Sequence, residues 1–567
     1  MIRKIQNRKK SLVIYFIIQY SIFNIQYLFS QSHDTLKTED IEIINIYEPV
    51  ISDAFKVLET PRIIDTIPPP INVKYDLLKR QIKTEFHIDT IKAATMKSEP
   101  LPKLYNTHIK LGAGNHLLTL ADVSFHNLRS RDYSYGARLN HFGAGNNIGI
   151  DTLGKFSGFS ENSLKIYGTG FLENHSLSGE LEHSRNVIHF YGFNPDSFST
   201  LNENATATRQ RFQKTNGNVR LMSFYKDSSQ INYDLSLNYY NLQDLFHAQE
   251  NNFLFTGNFY RFYGKEQFQL STAFDFNDLK NIYNSTTNAI LKIHPQIISE
   301  GMKWRLNAGL GIFSDMDNSA RFFFKPIAEF KFNVVDDLII PYAGIRGKIA
   351  RNNFKTYSDE NPFLLSAFTT SSALQNSNNL EAYLGIRGRE SSELSFNVAG
   401  SINQVYNMPM FVIDTNYLPQ NKFTVVYDNV SLSNVHAEAT YEKNEKLKIL
   451  FSGDYFSYDA SNELKAWYKP QWKGNISAFY NLQNKIILRS DIFGIANQYA
   501  KVYDADGMPA SKTLKGIIDA NLSVEYKYNH RLAAFLNLNN LGGVRYYRWQ
   551  NYPAMRFNVL GGISYSF

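Results

Sequence analysis

Serine, histidine, aspartate and glutamate occur throughout the 567 residues, but no spacing gathers them into a reaction centre. No Gly-x-Ser-x-Gly elbow is present to lift a serine out of a strand, so scattered serines carry no acyl-transfer chemistry. The chain holds no cysteine, which removes disulfides, thiol nucleophiles, thiolate metal sites and an N-terminal lipid anchor. Asp315 with Asp317 and Asp504 with Asp506 could offer oxygens to a hard cation. A twelve-residue calcium loop does not follow Asp504, however, so plain polar turns are the expectation. No catalytic residue, cofactor or metal is assigned. The aromatic run His189, Phe190, Tyr191 and Phe193, within RNVIHFYGFNP, is set aside as a loop that folds into a channel, meets a partner, or simply prolongs a strand.

Aromatic residues make up 14% of the chain, with 42 Phe and 36 Tyr against 4 Trp. A water-soluble core has no need of so much tyrosine, whereas a membrane–water boundary suits a ring with one wet end. Five cations and no acid lie in residues 1–30; the remainder has 54 cations against 52 anions, so its charge is nearly balanced. That excludes a basic nucleic-acid footprint. The basic start and the apolar stretch at 11–30 read as a signal peptide, with Ser30 as the small residue before cleavage. Residues 31–104 are proline-rich and lack alternation; they read as an extended periplasmic or lumenal segment, with one short strand at 41–50.

From 105 onward the period becomes two. Ile518, Ala520, Leu522, Val524 and Tyr526 alternate with Asp519, Asn521, Ser523 and Glu525. Phe268, Leu270, Phe274 and Phe276 alternate with Gln269, Ser271 and Asp275. Opposite faces of such strands suit lipid and water. Runs of about 9–11 residues, the length that crosses hydrocarbon at a tilt, are counted about 22 times (16–22 possible). Short links, as at 172–175, 264–265 and 483–484, alternate with long polar ones, as at 185–217, 351–378 and 404–433. The fold class is therefore all-β: a transmembrane antiparallel up-and-down β-barrel over 105–567. Pro326 is expected to mark a bulge.

The final strand, MRFNVLGGISYSF, ends on an aromatic. Gly562, Tyr565 and Phe567 resemble the C-terminal signal read by the outer-membrane barrel assembly machinery. The segment LNLNNLGGVRYYRWQNYPAMRFNVLGGISYSF resembles the end of TonB-dependent receptors. YEPVISDAFK at 47–56, KLYNTHIKLGAGN at 103–115 and RNVIHFYGFNP at 185–195 resemble a plug-less barrel group classed with them. The resemblance implies an outer-membrane location among lipids and lipopolysaccharide, solute transport, and TonB or a periplasmic lipoprotein as partner. The alternative is a non-transporting scaffold for a lipoprotein, secretion or assembly complex. An open barrel of this size is a hole, so residues 31–104 or inward loops are expected to fill it.

Overall fold

A computed structural model describes residues 103–145, 153–283, 285–316, 320–335, 338–366 and 374–567. The signal segment, the strand expected at 41–50 and nearly all of 31–104 lie outside the described residues.

Alternating apolar and polar residues can bury nothing as a single strand, and in lipid every backbone N–H and C=O needs a partner. The solution here is a closed 22-stranded antiparallel sheet in which successive barrel strands are neighbours. The alternation holds in space. Ile518 and Tyr526 are exposed on the outer wall while Asp519 is buried inside; Phe274 and Phe276 point outward and Asp275 inward. On the lumenal face, ion pairs tie neighbouring strands: Arg138–Asp122 at 2.6 Å, Arg220–Asp234 at 2.7 Å, Arg346–Glu381 at 2.7 Å and His436–Asp454 at 2.8 Å. Tyrosines cover glycines across the sheet. Tyr167 lies over its register partner Gly136, Tyr383 over Gly344 and Tyr342 over Gly385, where a Cβ would come within about 2.5 Å of each ring. A ring laid over a glycine supplies the contact that its missing side chain cannot.

Two expectations are corrected. Strands are not confined to 9–11 residues. Leu394–Ile413 has 20 and Phe423–Lys443 has 21, so most of the link expected at 404–433 is strand, and the loop expected at 185–217 shrinks to 190–208. Beyond the membrane, ladder bonding no longer needs an apolar face, so the pattern ends before the strand does. Pro326 makes no bulge either. The register with Trp304–Met316 runs through it unbroken, and the ladder to Ile340–Ala350 stops beside it, at Ile327. A residue with no N–H ends a ladder without needing an extra residue.

Closure falls between Thr107–Gly114 and Asn558–Ser566, in the register Ile109↔Tyr565 and Gly112↔Gly562. Phe567 N–H donates to the Thr107 carbonyl at 2.9 Å, and Asn106 N–H donates to the Phe567 carbonyl at 3.0 Å. The final aromatic residue thus ends the seam. At Gly562 a Cβ would sit 2.0 Å from the Leu111 carbonyl oxygen and 2.6 Å from the Phe535 ring. Gly562→Ala is expected to weaken the seam by about 1–3 kcal/mol, the usual cost of overpacking. Gly179→Ala, where nothing lies within 4 Å, leaves stability unchanged. Urea titration of the folded band on unheated gels checks the pair; equal midpoints for both variants contradict the seam geometry.

Candidate functional site

Barrel proteins keep short turns at the periplasmic end, which puts the long connections at the outer mouth. Here they do not extend away from it. Connections 190–208, 245–248, 351–366, 461–471, 496–516 and 540–557 turn inward and share one buried cluster with the ends of strands 394–413 and 423–443. Its members include Tyr191, Phe354, Tyr357, Phe411, Phe423, Trp467, Trp549 and Tyr552.

The contacts join distant parts of the ring. Tyr191 follows the fifth strand, Phe363 lies between the thirteenth and fourteenth, and Tyr552 precedes the last. Tyr191 and Tyr552 meet edge-on at 5.0 Å, and Phe363 stacks on Tyr552 at 3.6 Å. Trp549 is ringed by Tyr468 at 4.9 Å, Phe411 at 5.2 Å and Phe423 at 5.5 Å. Loops from three separated arcs of the wall therefore meet at the mouth in one apolar plug. Aromatic pairs in such geometry add roughly 0.5–1.5 kcal/mol each beyond their buried area.

Buried polar groups fix the loops to the wall. The fully buried carboxylate of Glu250 accepts the N–H of Phe354 at 2.8 Å, the N–H of Lys355 at 3.1 Å, and the Tyr240 hydroxyl at 2.8 Å. It thereby satisfies the free N–H groups that begin the short helix Phe354–Glu360. Asn353 donates to the Tyr240 hydroxyl at 2.8 Å, and Arg351 pairs with Asp275 at 3.1 Å. Gln210 donates to Asp244 at 2.9 Å and to Ser366 at 3.0 Å. One connection is thus anchored to strands far from its own.

The four residues singled out in the aromatic run have these places. His189 ends its strand, its Nδ1 3.1 Å from the Thr208 hydroxyl. Phe190 is buried, and Asn421 donates to its carbonyl at 2.7 Å. The Tyr191 hydroxyl donates to the Pro553 carbonyl at 3.1 Å. Phe193 is buried against Gly154. The segment prolongs the strand as far as His189 and then turns inward. Gly562, Tyr565 and Phe567 lie at the seam, remote from the mouth. Asp504 and Asp315 are held in local structure: Asp504 accepts the N–H groups of Asp506 at 3.0 Å and Met508 at 2.8 Å, while Asp315 is held by Asn376 at 2.9 Å and Arg321 at 3.0 Å. Asp317 lies outside the described residues. Among the described residues no three His, Asp or Glu gather as for a metal ion.

Lys422 carried no signal in the sequence. It is buried, with its ammonium 4.2 Å from the Tyr417 ring, 4.3 Å from Phe246 and 4.7 Å from Phe190. Ring faces attract a cation, and most strongly where water is excluded. Burial still pushes its pKa down, to about 8, against the pull of Asp244 and Asp414.

No family sequence profile and no curated protein sequence matches this chain. Its structure does match solved ones. The FrpB iron transporter of Neisseria meningitidis aligns with a TM-score of 0.64 at 10% identity, over 82% of each chain. The ferric-catecholate import receptor Fiu of E. coli K12 aligns with 0.60 at 10%, over 82% of each. The siderophore receptor PirA of Acinetobacter baumannii aligns with 0.62 at 8%, over 83% of this chain and 81% of that one. These are TonB-dependent receptors, and the likeness to their barrels is a likeness of fold.

A buried base whose pKa is lower folded than unfolded destabilises the fold while it is charged. That cost is complete below about pH 8 and fades as pH rises toward the unfolded value of about 10.4. The cap is therefore expected to melt at higher temperature as pH rises through that window, and Lys422→Met is expected to lose the rise. Tryptophan fluorescence melts of both proteins check it; parallel pH profiles contradict it.

Proposed function

We propose that this chain is a TonB-dependent-receptor-like outer-membrane barrel that moves a solute through a lumen shut at its outer mouth by its own loops. The observation that carries this reading is the meeting of loops from separated arcs of the wall over a polar, ion-paired interior. Beneath the mouth, a cavity of about 380 Å³ is lined by Arg346, Glu381, Tyr383, Arg387, His436 and Asp454. A second, of about 550 Å³, is lined by His108, Lys110, Asp122, Arg138, Lys165 and Tyr167. A polar, ion-paired interior under a stop made of loops suits regulated passage better than a static wall. In this reading residues 1–30 direct export and are removed. Residues 31–104 work in the periplasm or lumen, with 41–50 as an extended strand that adds to the sheet edge of TonB or of a periplasmic lipoprotein. Neither a catalytic step nor a cofactor is part of it.

The sealed mouth also suits a scaffold that anchors a lipoprotein or assembly complex and passes nothing. Bilayer conductance separates the two. Deleting one aromatic side chain from a packed core costs about 3–5 kcal/mol, enough to loosen the cap. Wild type is expected to show rare, brief openings, and Trp549→Ala or Tyr552→Ala to be frequently open. Variants whose cap fluorescence shows loosening but which conduct no more than wild type would contradict a gated lumen, and a stoichiometric co-purifying partner would then favour the scaffold.

A further inference from the structure

Among the described residues the barrel wall has a four-pair gap between strands Ala320–Phe332 and Ile340–Ala350, wider than the two-pair break at Pro295. Their ladder holds only from Ile327↔Arg346 to Lys331↔Tyr342. In the same register 323–326 would meet 347–350, yet no pair forms there. Ala320–Phe332 stays paired on its other side to the strand Trp304–Met316 along its whole length, and Ile340–Ala350 stays paired to the strand Ser377–Arg389. The sheet is therefore split from one side only, beginning at Pro326, which has no N–H to give.

Side-chain packing shows where the freed end goes. Ile345 lies on the outer wall, so alternation would put Ile349 there too. Ile349 is instead fully buried with Ile290 and Phe313, against Phe323. Phe313 and Phe323 belong to the lumenal face, because Phe322 and Phe324 point outward, 64% and 67% exposed. The upper end of Ile340–Ala350 has thus slipped behind its neighbour. Lys325 spans the split. Its side chain lies against Gly347, where a Cβ would meet the lysine carbons at 2.5 Å, and its ammonium donates to the Asn379 carbonyl at 2.9 Å and to the Asn378 side chain.

Both sides of the wall next to this split are shaped. Outside, an apolar groove of about 710 Å³ crosses the strands over a floor of Ala328, Ala343 and Ala382, between Phe330, Leu384 and Ile402. Inside, backing the same strands, lies the polar 380 Å³ cavity. Within it Arg346 is paired with Glu381 and His436 with Asp454, while Arg387 has no ion pair among the described residues. Unpaired strand backbone facing hydrocarbon costs several kcal/mol per group. A wall that leaves it open beside an apolar groove and a polar cavity has the two environments that an amphiphile requires.

We propose that the split is a lateral passage between lumen and outer leaflet for a lipid-like amphiphile. Its acyl chain lies in the outer groove, and its anionic headgroup passes the edge at Pro326 and Lys325 to reach the cavity around Arg387. This names a cargo class for the transport reading and rests on it. Side access is nevertheless measured separately from conductance, so either can fail alone.

The full-length barrel is placed in nanodiscs of fluorescent-tailed phosphatidylglycerol. The photo-crosslinking residue benzoylphenylalanine replaces, one at a time, Tyr383 (lumen behind the split), Tyr167 (lumen far from it), Phe324 (split) and Leu237 (outer wall far from it). Lipid adducts are expected at Leu237, Phe324 and Tyr383 and absent at Tyr167. A second variant, Lys325→Cys with Gly347→Cys, staples across the split itself, where a Gly347 Cβ would lie against the lysine Cβ, in a chain with no other cysteine. Oxidation is expected to abolish the adduct at Tyr383 while sparing that at Leu237, and reduction to restore it. If Tyr383 is as blank as Tyr167, or its adduct survives the staple, the passage is overturned.

Discussion

Hydrocarbon offers no hydrogen bonds, so a chain crossing it as strands must satisfy its backbone within itself, and a sheet can do that only by closing. That requirement explains the features at the two ends of the barrel sequence. Gly112 and Gly562 face each other because the first and last strands must approach closely over the Phe535 ring. Tyr565 and Phe567 fall where the final ladder bonds are made. The same requirement makes the split beside Pro326 conspicuous. A wall whose other ladders show only short interruptions leaves a four-pair edge uncovered here, and lysine and proline stand at it, the residues that blunt strand edges.

Closing the sheet creates a hole, and the outer connections answer that second problem. Their plug is apolar at the centre and polar at its attachments. Trp549 and Tyr552 supply buried area at that centre, while Glu250, Asn353 and Gln210 hold the surrounding segments to the wall. Such a stop need not be permanent. Its core is assembled from pieces joined by packing and by a short bridge, Leu364 with Phe423, rather than by the barrel's own ladders, so it can separate without breaking the barrel. Beside that core Lys422 adds a buried charge, held by three rings and by the field of Asp244 and Asp414.

The wall was legible in the sequence and the plug was not. A period of two is local, and lipid enforces it on every strand, so Ile518 to Tyr526 could be read from nine residues. Strand number followed from counting such runs, and the alternation of short and long links agreed with it. Strand ends were misjudged because above the membrane the ladder continues without an apolar face. Pro326 was noticed, but its effect depended on which neighbour it faced. The plug depends on contacts such as Tyr191 with Pro553, separated by 362 positions. Aromatic density marked His189 to Phe193; nothing local marked Phe354, Lys422 or Trp549. Scarcity was the one available hint, since two of the four tryptophans, Trp467 and Trp549, lie in this cluster.

The central claim, a polar lumen sealed from outside by its own loops, is tested most directly by thiol labelling in a chain that has no native cysteine. Arg138→Cys and Tyr383→Cys report the lumen, and Leu418→Cys reports an exposed outer loop. With a bulky, membrane-impermeant maleimide on intact cells, Leu418→Cys is expected to label fully, and the two lumenal variants only after the cells are opened. Lumenal labelling on intact cells at the rate of Leu418→Cys would contradict the seal.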